Sequence, residues 1–578
     1  MFRINKKSKL FLAVVVFLLL TPLTIYYVID GVFDLRSRAG NTGTLAEEFK
    51  IADLNADNSL GIEDFNIWLS NFRQFRDSPT AYNAMSDLDK NEAIGISDFV
   101  LWLNLWRKYK ASIAEGGGVT PPVVVNSPLF GTGIDGDISV SADTNINTAT
   151  ISSTRSCADA KSYTVVKFDS DTVVQVNEGV SEACVKAGDE VLIIGLSGTE
   201  TNVETVGNYE TFIVASVAGD KITLNTPRTK PFGAKAMVQR VPQYGNVNIA
   251  AGKNLYPSAW DGESGGVVFF RATGTVNVEG IIHADGTGYR GGIKCATASC
   301  NPGAGEGLFF LEGNDGKGGR GGNNNSDTYG YAGTFSGGGG DGGYYSTKKP
   351  GSGSQLIGAT GGGGGGNAVL TSAPANSGPK SFGGGGGGGG NATFGTGGKS
   401  VNSSSSNDGV NGSDTSSGAG GNASRYGLYA DTWYSKTAAG GGGGGAVANI
   451  KDTSLLIFGG GGGAGGTSGD STAHTGSNGG NGGGIVLIAA NKITVSGRIS
   501  ANGGDSAAPG SRCAAGGSGA GGSVRLIGNI LDLSTNKVTA DGGTPSSYGG
   551  IGGIGRISIQ YMSTFTGSTR PVSTNSKI

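Results

Sequence analysis

Oxygen-bearing side chains at alternate positions are the residues of this chain with the plainest chemistry. Asp53, Asn55 and Asp57 are followed by Ser59 and then Asp64, and the order returns as Asp87, Asp89, Asn91, Ala93 and Asp98 at a constant offset of 34 residues. Leu60, Gly61, Ile62, Phe65, Trp68 and Leu69 fall in the same way on Ile94, Gly95, Ile96, Phe99, Trp102 and Leu103. Calcium takes several oxygens, and a twelve-residue loop supplies them from positions 1, 3, 5, 7 and 12, with position 9 often acting through water. Positions 1, 3 and 5 carry side-chain oxygen in both copies, position 7 (Ser59, Ala93) offers its backbone carbonyl, and position 12 is Asp64 or Asp98. Those ten residues are the expected calcium ligands. Asx turns capping two helices are the bland alternative, but capping leaves the repeated alternation unaccounted for.

The elements that must hold these loops are helices. Phe65, Trp68, Leu69 and Phe72 follow the first loop and Phe99, Trp102, Leu103 and Trp106 the second. This spacing makes two amphipathic stripes that can bury each other. Position 12 is Asp where the longer Glu is usual, and position 6 is Asn58 or Glu92 where glycine is usual. Asn tolerates a left-handed backbone better than Glu, which predicts tighter binding in the first loop. Tandem loop–helix repeats with Asp at position 12 resemble dockerin over about residues 48–110. That resemblance implies calcium-dependent folding and docking onto a cohesin-like partner, often in assemblies for polysaccharide catabolism.

Upstream, Lys6, Lys7 and Lys9 precede the apolar run Leu10–Leu20, and Thr21–Ile29 stays mostly apolar. About 20 such residues suffice to cross a bilayer core. Basic residues before the run and Asp30 and Asp34 after it place the N-terminus in the cytoplasm. Residues 1–30 are thus expected to be a signal anchor, a single-pass transmembrane helix that leaves the bulk of the chain extracellular at the cell membrane. A cleaved signal peptide, giving a secreted chain, is the alternative.

Composition narrows the rest. The net charge of −2 carries no nucleic-acid footprint. Two histidines, His283 and His474, leave little for acid–base or metal chemistry. Among five cysteines, Cys157 and Cys184 could bridge neighbouring strands and Cys295 and Cys300 could close a local loop, but spacing does not fix connectivity.

Residues 113–127, with Gly116–Gly118 and the pair Pro121–Pro122, read as a linker. Residues 128–286 hold short alternating runs such as Tyr163–Phe168 and Glu190–Ile194, a β signature. A repeat of about 22 residues joins 265–286, 483–504 and 521–543; each has Gly-Gly, two strands, then Ala-Asp/Asn-Gly, and 553–561 looks like a partial fourth copy. Stacked rungs of a parallel β-solenoid suit that pattern, and independent hairpins in a sandwich are the alternative. The tips Asp285, Asn502 and Asp541 each precede glycine, which is ordinary turn chemistry; as carboxylates on a β-helix they could also be catalytic.

Glycine numbers 111 of 578 residues, nearly three times the usual ~7%. It is densest in 287–482, with runs at 337–340, 361–366, 383–390, 440–445 and 459–463. No Gly-X-Y triplet appears, so collagen is excluded. Either this insertion is a flexible loop, or it is a bundle of extended three-fold glycine helices bonded backbone to backbone. In composition it resembles the glycine-rich ectodomain of the anaplastic lymphoma kinase receptor. Residues 188–292 resemble glycine-rich bacterial surface proteins, which implies a surface role.

The expected fold is multidomain: a transmembrane helix (1–30), a small all-α dockerin-like module (45–112), a linker, then all-β structure, a parallel β-solenoid (128–286, 483–562) with a glycine-rich insertion (287–482) and a tail (563–578). The expected function is that of a membrane-tethered extracellular structural or adhesive protein whose calcium-dependent dockerin binds a cohesin-like partner. The alternative is a dockerin-bearing carbohydrate-active enzyme acting on polysaccharide through a β-helix domain.

Overall fold

The computed structural model describes residues 47–106 apart from 55–59, 61, 79–81, 89, 92, 96 and 104, and residues 129–296 apart from 199–204 and 234. It further describes 302–308, 360–365, 381–382, 386–399, 409–413, 424–427, 434–437, 455–467, 475–510 and 513–578. Two compact units result, Met1–Val123 and Val124–Ile578.

In the first unit the helix Ile62–Asp77 follows the first acidic loop, and residues 97–103 are helical after the second. Their apolar faces meet as the alternation dictates: Phe65, Trp68 and Trp102 are buried, with Phe99 and Phe72 packed against them.

The second unit is almost wholly β. Its main element is a 12-stranded sheet. Strand Val267–Val278 pairs in parallel with Ile485–Val495, that strand with Ser523–Thr539, and that with Arg556–Arg570. The register puts Phe270 beside Ile488, Leu526 and Ile559, and Val268 beside Val486, Val524 and Ile557. All eight are buried in one core cluster. Alternation along each repeat therefore delivers one inward column per second residue, because strand side chains alternate between faces.

A closed antiparallel barrel precedes the long strands, formed by Ser162–Phe168, Val173–Val176, Lys221–Leu224, Tyr209–Ala218, Glu190–Ser197 and Lys235–Arg240. Strand Glu190–Ser197 is buried along its whole length. Val191 and Ile193 fill the barrel, while Leu192, Ile194 and Leu196 pack with Phe269, Leu487 and Trp260 beside the parallel sheet. Burial on both faces explains its unbroken apolar run. A disulfide joins Cys157 to Cys184, linking turns where neighbouring strands were expected, and Cys295 is also disulfide-bonded.

Glycine-rich segments form the third element. Gly459, Gly462 and Gly465 donate backbone N–H bonds to the carbonyls of Gly483, Gly480 and Ser477 at 2.8–2.9 Å. Gly460 and Gly463 donate to Gly390 and Gly387, and Gly461 and Ala464 to Glu306 and Gly303. Every third residue returns to the same neighbour, the three-residue turn of a polyproline-II-type helix. Carbonyls of the same segment accept from Gly362 and Gly365, from Gly517 and Ala520, and from Gly292. Segment 459–465 is thus surrounded by six others, and all its residues are buried. At Gly462 and Gly463 a β-carbon would run into a neighbouring backbone carbonyl, so these positions need glycine. The runs at 337–340 and 440–445 lie outside the described residues.

The expected fold class is corrected on these points. The chain is mostly β, with a parallel sheet and an antiparallel barrel, and the described helices are short and confined to 47–106. The barrel was hidden because its alternating strands read like those of the sheet. The glycine-rich element is no separate insertion, since 503–504, 516–522 and 542–555 bond into the same array. No helix among the described residues is long and apolar enough to cross a membrane, and residues 1–30 lie outside them.

Candidate functional site

The two acidic loops reproduce one contact at their 34-residue offset. Asp64 Oδ1 accepts the backbone N–H of Leu54 at 2.7 Å, and Asp98 Oδ1 accepts that of Leu88 at 2.7 Å. Both position-12 carboxylates are fully buried. Asp98 Oδ2 also takes the N–H of Gly95 at 2.8 Å. Each position-12 side chain is thereby folded back over position 2 of its own loop, which closes the loop against its helix.

The second loop is the more fully described. Asp87 is buried; its Oδ1 accepts Asn91 N–H at 3.1 Å and its Oδ2 the Tyr82 hydroxyl at 2.5 Å. Asn91 is exposed, its Oδ1 accepts Ala93 N–H at 2.9 Å, and Ala93 is half-buried. Asp53 is half-buried at the start of the first loop. Asn55, Asp57, Ser59 and Asp89 lie outside the described residues. Among the described residues, no group of three or more His, Cys, Asp or Glu is placed to hold a metal ion. The donors that are described fit calcium by their chemistry, being carboxylate, amide and backbone oxygens.

Sequence reasoning missed Tyr82, which lies outside the twelve-residue pattern and carries no repeat partner to mark it. Lys90, at position 4 of the second loop, is left-handed with φ of 58°; the position-6 residues Asn58 and Glu92, where a left-handed backbone was expected, lie outside the described residues.

The aromatic core under the loops has the same pseudo-two-fold relation. Phe65 and Trp102 have ring centroids 5.5 Å apart, matched by Phe99 and Trp68 at 5.4 Å. Phe65 and Phe99 meet each other at 5.7 Å. Ala52 N–H bonds Phe49 O at 3.0 Å, as Ser86 N–H bonds Asn83 O at 3.1 Å.

On the parallel sheet the three acidic or amide tips lie side by side. Asp285 Oδ1 accepts Asn502 N–H at 2.6 Å, and Asn502 Oδ1 accepts Asp541 N–H at 2.8 Å. Asp285 Oδ2 takes Ser500 Oγ at 2.9 Å and Arg498 Nη2 at 3.2 Å; Arg570 holds Asp541. Each tip therefore tethers the next repeat, and its acceptor capacity is spent on that ladder. His283 stacks on Tyr256 with centroids 5.7 Å apart, and its Nδ1 faces the Asp285 N–H at 3.4 Å. Burial lowers the His283 pKa, outweighing the attraction of Asp285, and Arg498 lowers it further. A histidine that resists protonation when folded costs stability as pH falls below its unfolded value of about 6.5. Replacing His283 by Gln is expected to flatten the loss of stability between about pH 6.5 and 5. Denaturant unfolding at the two pH values checks this, and equal slopes with and without the imidazole refute it.

Asn391, which opens the sequon Asn391-Ala392-Thr393, is fully buried, with Nδ2 bonded to Gly521 O at 2.6 Å.

No family model matches this chain, and no characterised protein or solved structure matches it either.

Proposed function

We propose that this chain is an exported structural or adhesive protein, held at the outer side of a membrane by its N-terminal apolar segment. Its duplicated loop–helix module is a dockerin that orders around calcium and receives a cohesin-like partner. One observation carries the reading: two buried aspartates, 34 residues apart, make the same 2.7 Å bond to position 2 of their loops. A bound cation compensates the charge of carboxylates that burial otherwise penalises. The β and glycine elements supply a stiff scaffold with few charged side chains, in keeping with a spacer or adhesive surface. The disulfide Cys157–Cys184 fits an oxidising compartment.

Calcium titration of the full chain by calorimetry is the test, followed by capture with cohesin domains in calcium and in chelator. Asp64→Ala is expected to weaken the tighter site by at least ~100-fold, since losing even an outer-shell partner costs 10–100-fold. Calcium-independent capture, or no heat of binding in the unsubstituted chain, sinks the reading.

A further inference from the structure

At one place the residue types obey the repeat of the loop–helix module but the bond does not. Trp102, on the second helix, donates its indole N–H to Ala52 O at 3.2 Å. Ala52 is the residue directly before Asp53, the first position of the first loop. The pseudo-symmetric counterpart is Trp68, on the first helix, donating to the carbonyl of Ser86, directly before Asp87. The Phe65–Trp102 and Phe99–Trp68 contacts and the turns at Ala52 and Ser86 obey the symmetry. Yet Trp68 Nε1 is buried and has no hydrogen-bond partner among the described residues. A buried N–H without an acceptor is costly and rare.

We propose that the two indoles are latches, each tying one helix to the entrance of the other repeat's loop, and that the Trp68 latch closes when the second loop binds calcium. This rests on the calcium reading above. Loading the second loop draws the Ser86 carbonyl onto Trp68 Nε1, so the binding energy of that loop is partly used to lock the first helix. Trp102 already holds the first loop's entrance to the second helix. Closing the Trp68 latch steadies the first helix, which carries Asp64 of the first loop, and this makes calcium uptake cooperative. The coupling expected from satisfying one buried donor is of the order of tenfold in affinity. Trp68 and Trp102 are positioning residues and touch no ion.

The test uses the full chain carrying 15N-labelled indole, with Trp68→Phe to identify its signal. On calcium addition the Trp68 indole N–H is expected to move downfield and become protected from exchange, whereas the Trp102 signal is protected from the start. In the Asp53→Ala background, which leaves the second loop to titrate, Trp68→Phe should weaken calcium by about tenfold. In the Asp87→Ala background the same substitution should change the first loop by less than about twofold. If calcium binds but the Trp68 signal neither shifts nor gains protection, the latch is wrong and the calcium reading stands. If the unsubstituted chain binds no calcium, both fall together. The signal in the unsubstituted chain decides the matter even if Trp68→Phe fails to fold.

Discussion

Replacing Gly462 by alanine is expected to destabilise the Val124–Ile578 unit by about 3–5 kcal/mol, although the change adds one methyl group. A β-carbon there would meet the Gly517 carbonyl far inside the 3.4–4 Å of ordinary contact. The obstructing atoms are backbone, so no side chain can rotate away. Relief requires moving 459–465 away from 514–520, which opens the bonds from Gly517 to Gly463 (2.8 Å) and from Ala520 to Gly460 (2.9 Å). Overpacking a tight interior costs about 1–3 kcal/mol, and each buried bond opened adds about 1 kcal/mol or more. The opposing gain, a stiffer unfolded chain, is only ~0.4–1 kcal/mol. Gly179→Ala is the internal control, because its turn is exposed and nothing stands within 4 Å of a β-carbon there. It should be neutral or slightly stabilising. Thermal unfolding followed by circular dichroism separates the two, and equal midpoints would refute the close-packed array.

How far the chain could be read without coordinates depended on whether partners share a sequence signal. The 22-residue repeats are legible because parallel strands in register put like residues side by side, so Val268, Val486 and Val524 recur in phase. Their Asp285, Asn502 and Asp541 tips are legible as turns, but the ladder bonds between them are not. The barrel left no repeat, and although three of its pairings join consecutive strands, the three that close it join strands far apart along the chain. Glycine runs hide their neighbours, since a residue without a side chain says nothing about what lies against it. A usable signal was nonetheless present: Thr475, Asn478 and Asn481, like Tyr548, Ile551 and Ile554, recur every third residue, and each set faces outward in whole or in part. A period of three beside glycine marks a three-fold helix with one wet face. In the acidic loops the offset exposed the position-12 pair, while Tyr82 and the indole latches needed coordinates.

Charged residues in turn-like sequence can be buried ion-pair partners, a role their neighbours along the chain do not signal. Asp135 sits in the run GTGIDGD, which reads as a solvated turn, yet its side chain is only 2% exposed beside Arg240 at 1%. Arg240 Nη2 donates to both Asp135 oxygens at 2.7 Å and lies 3.4 Å from Asp189, while Nη1 donates to Asp159 O at 2.9 Å. Burial works against the guanidinium charge, but Asp189 and Asp135 more than offset it and raise the Arg240 pKa. Asp189 keeps a second partner in Arg155, at 3.0 Å. Asp135 would keep only the Gln243 N–H, at 2.7 Å. Arg240→Met therefore leaves a buried carboxylate without its cation, and removing one member of such a pair costs about 3–5 kcal/mol. Arg240 ends a barrel strand, whereas Asp135 lies in the turn before the parallel-sheet strand Ile138–Val140 and Gln243 in the short strand Gln243–Tyr244 of that sheet, so the loss loosens barrel from sheet. Adding Asp135→Leu to Arg240→Met should restore at least half of the lost stability, because the carboxylate that made the single change costly is then gone. Guanidinium unfolding of the two variants decides it. A single substitution costing under ~1 kcal/mol, or a double variant no better than the single, would mean that this ion pair does not fasten the barrel to the sheet.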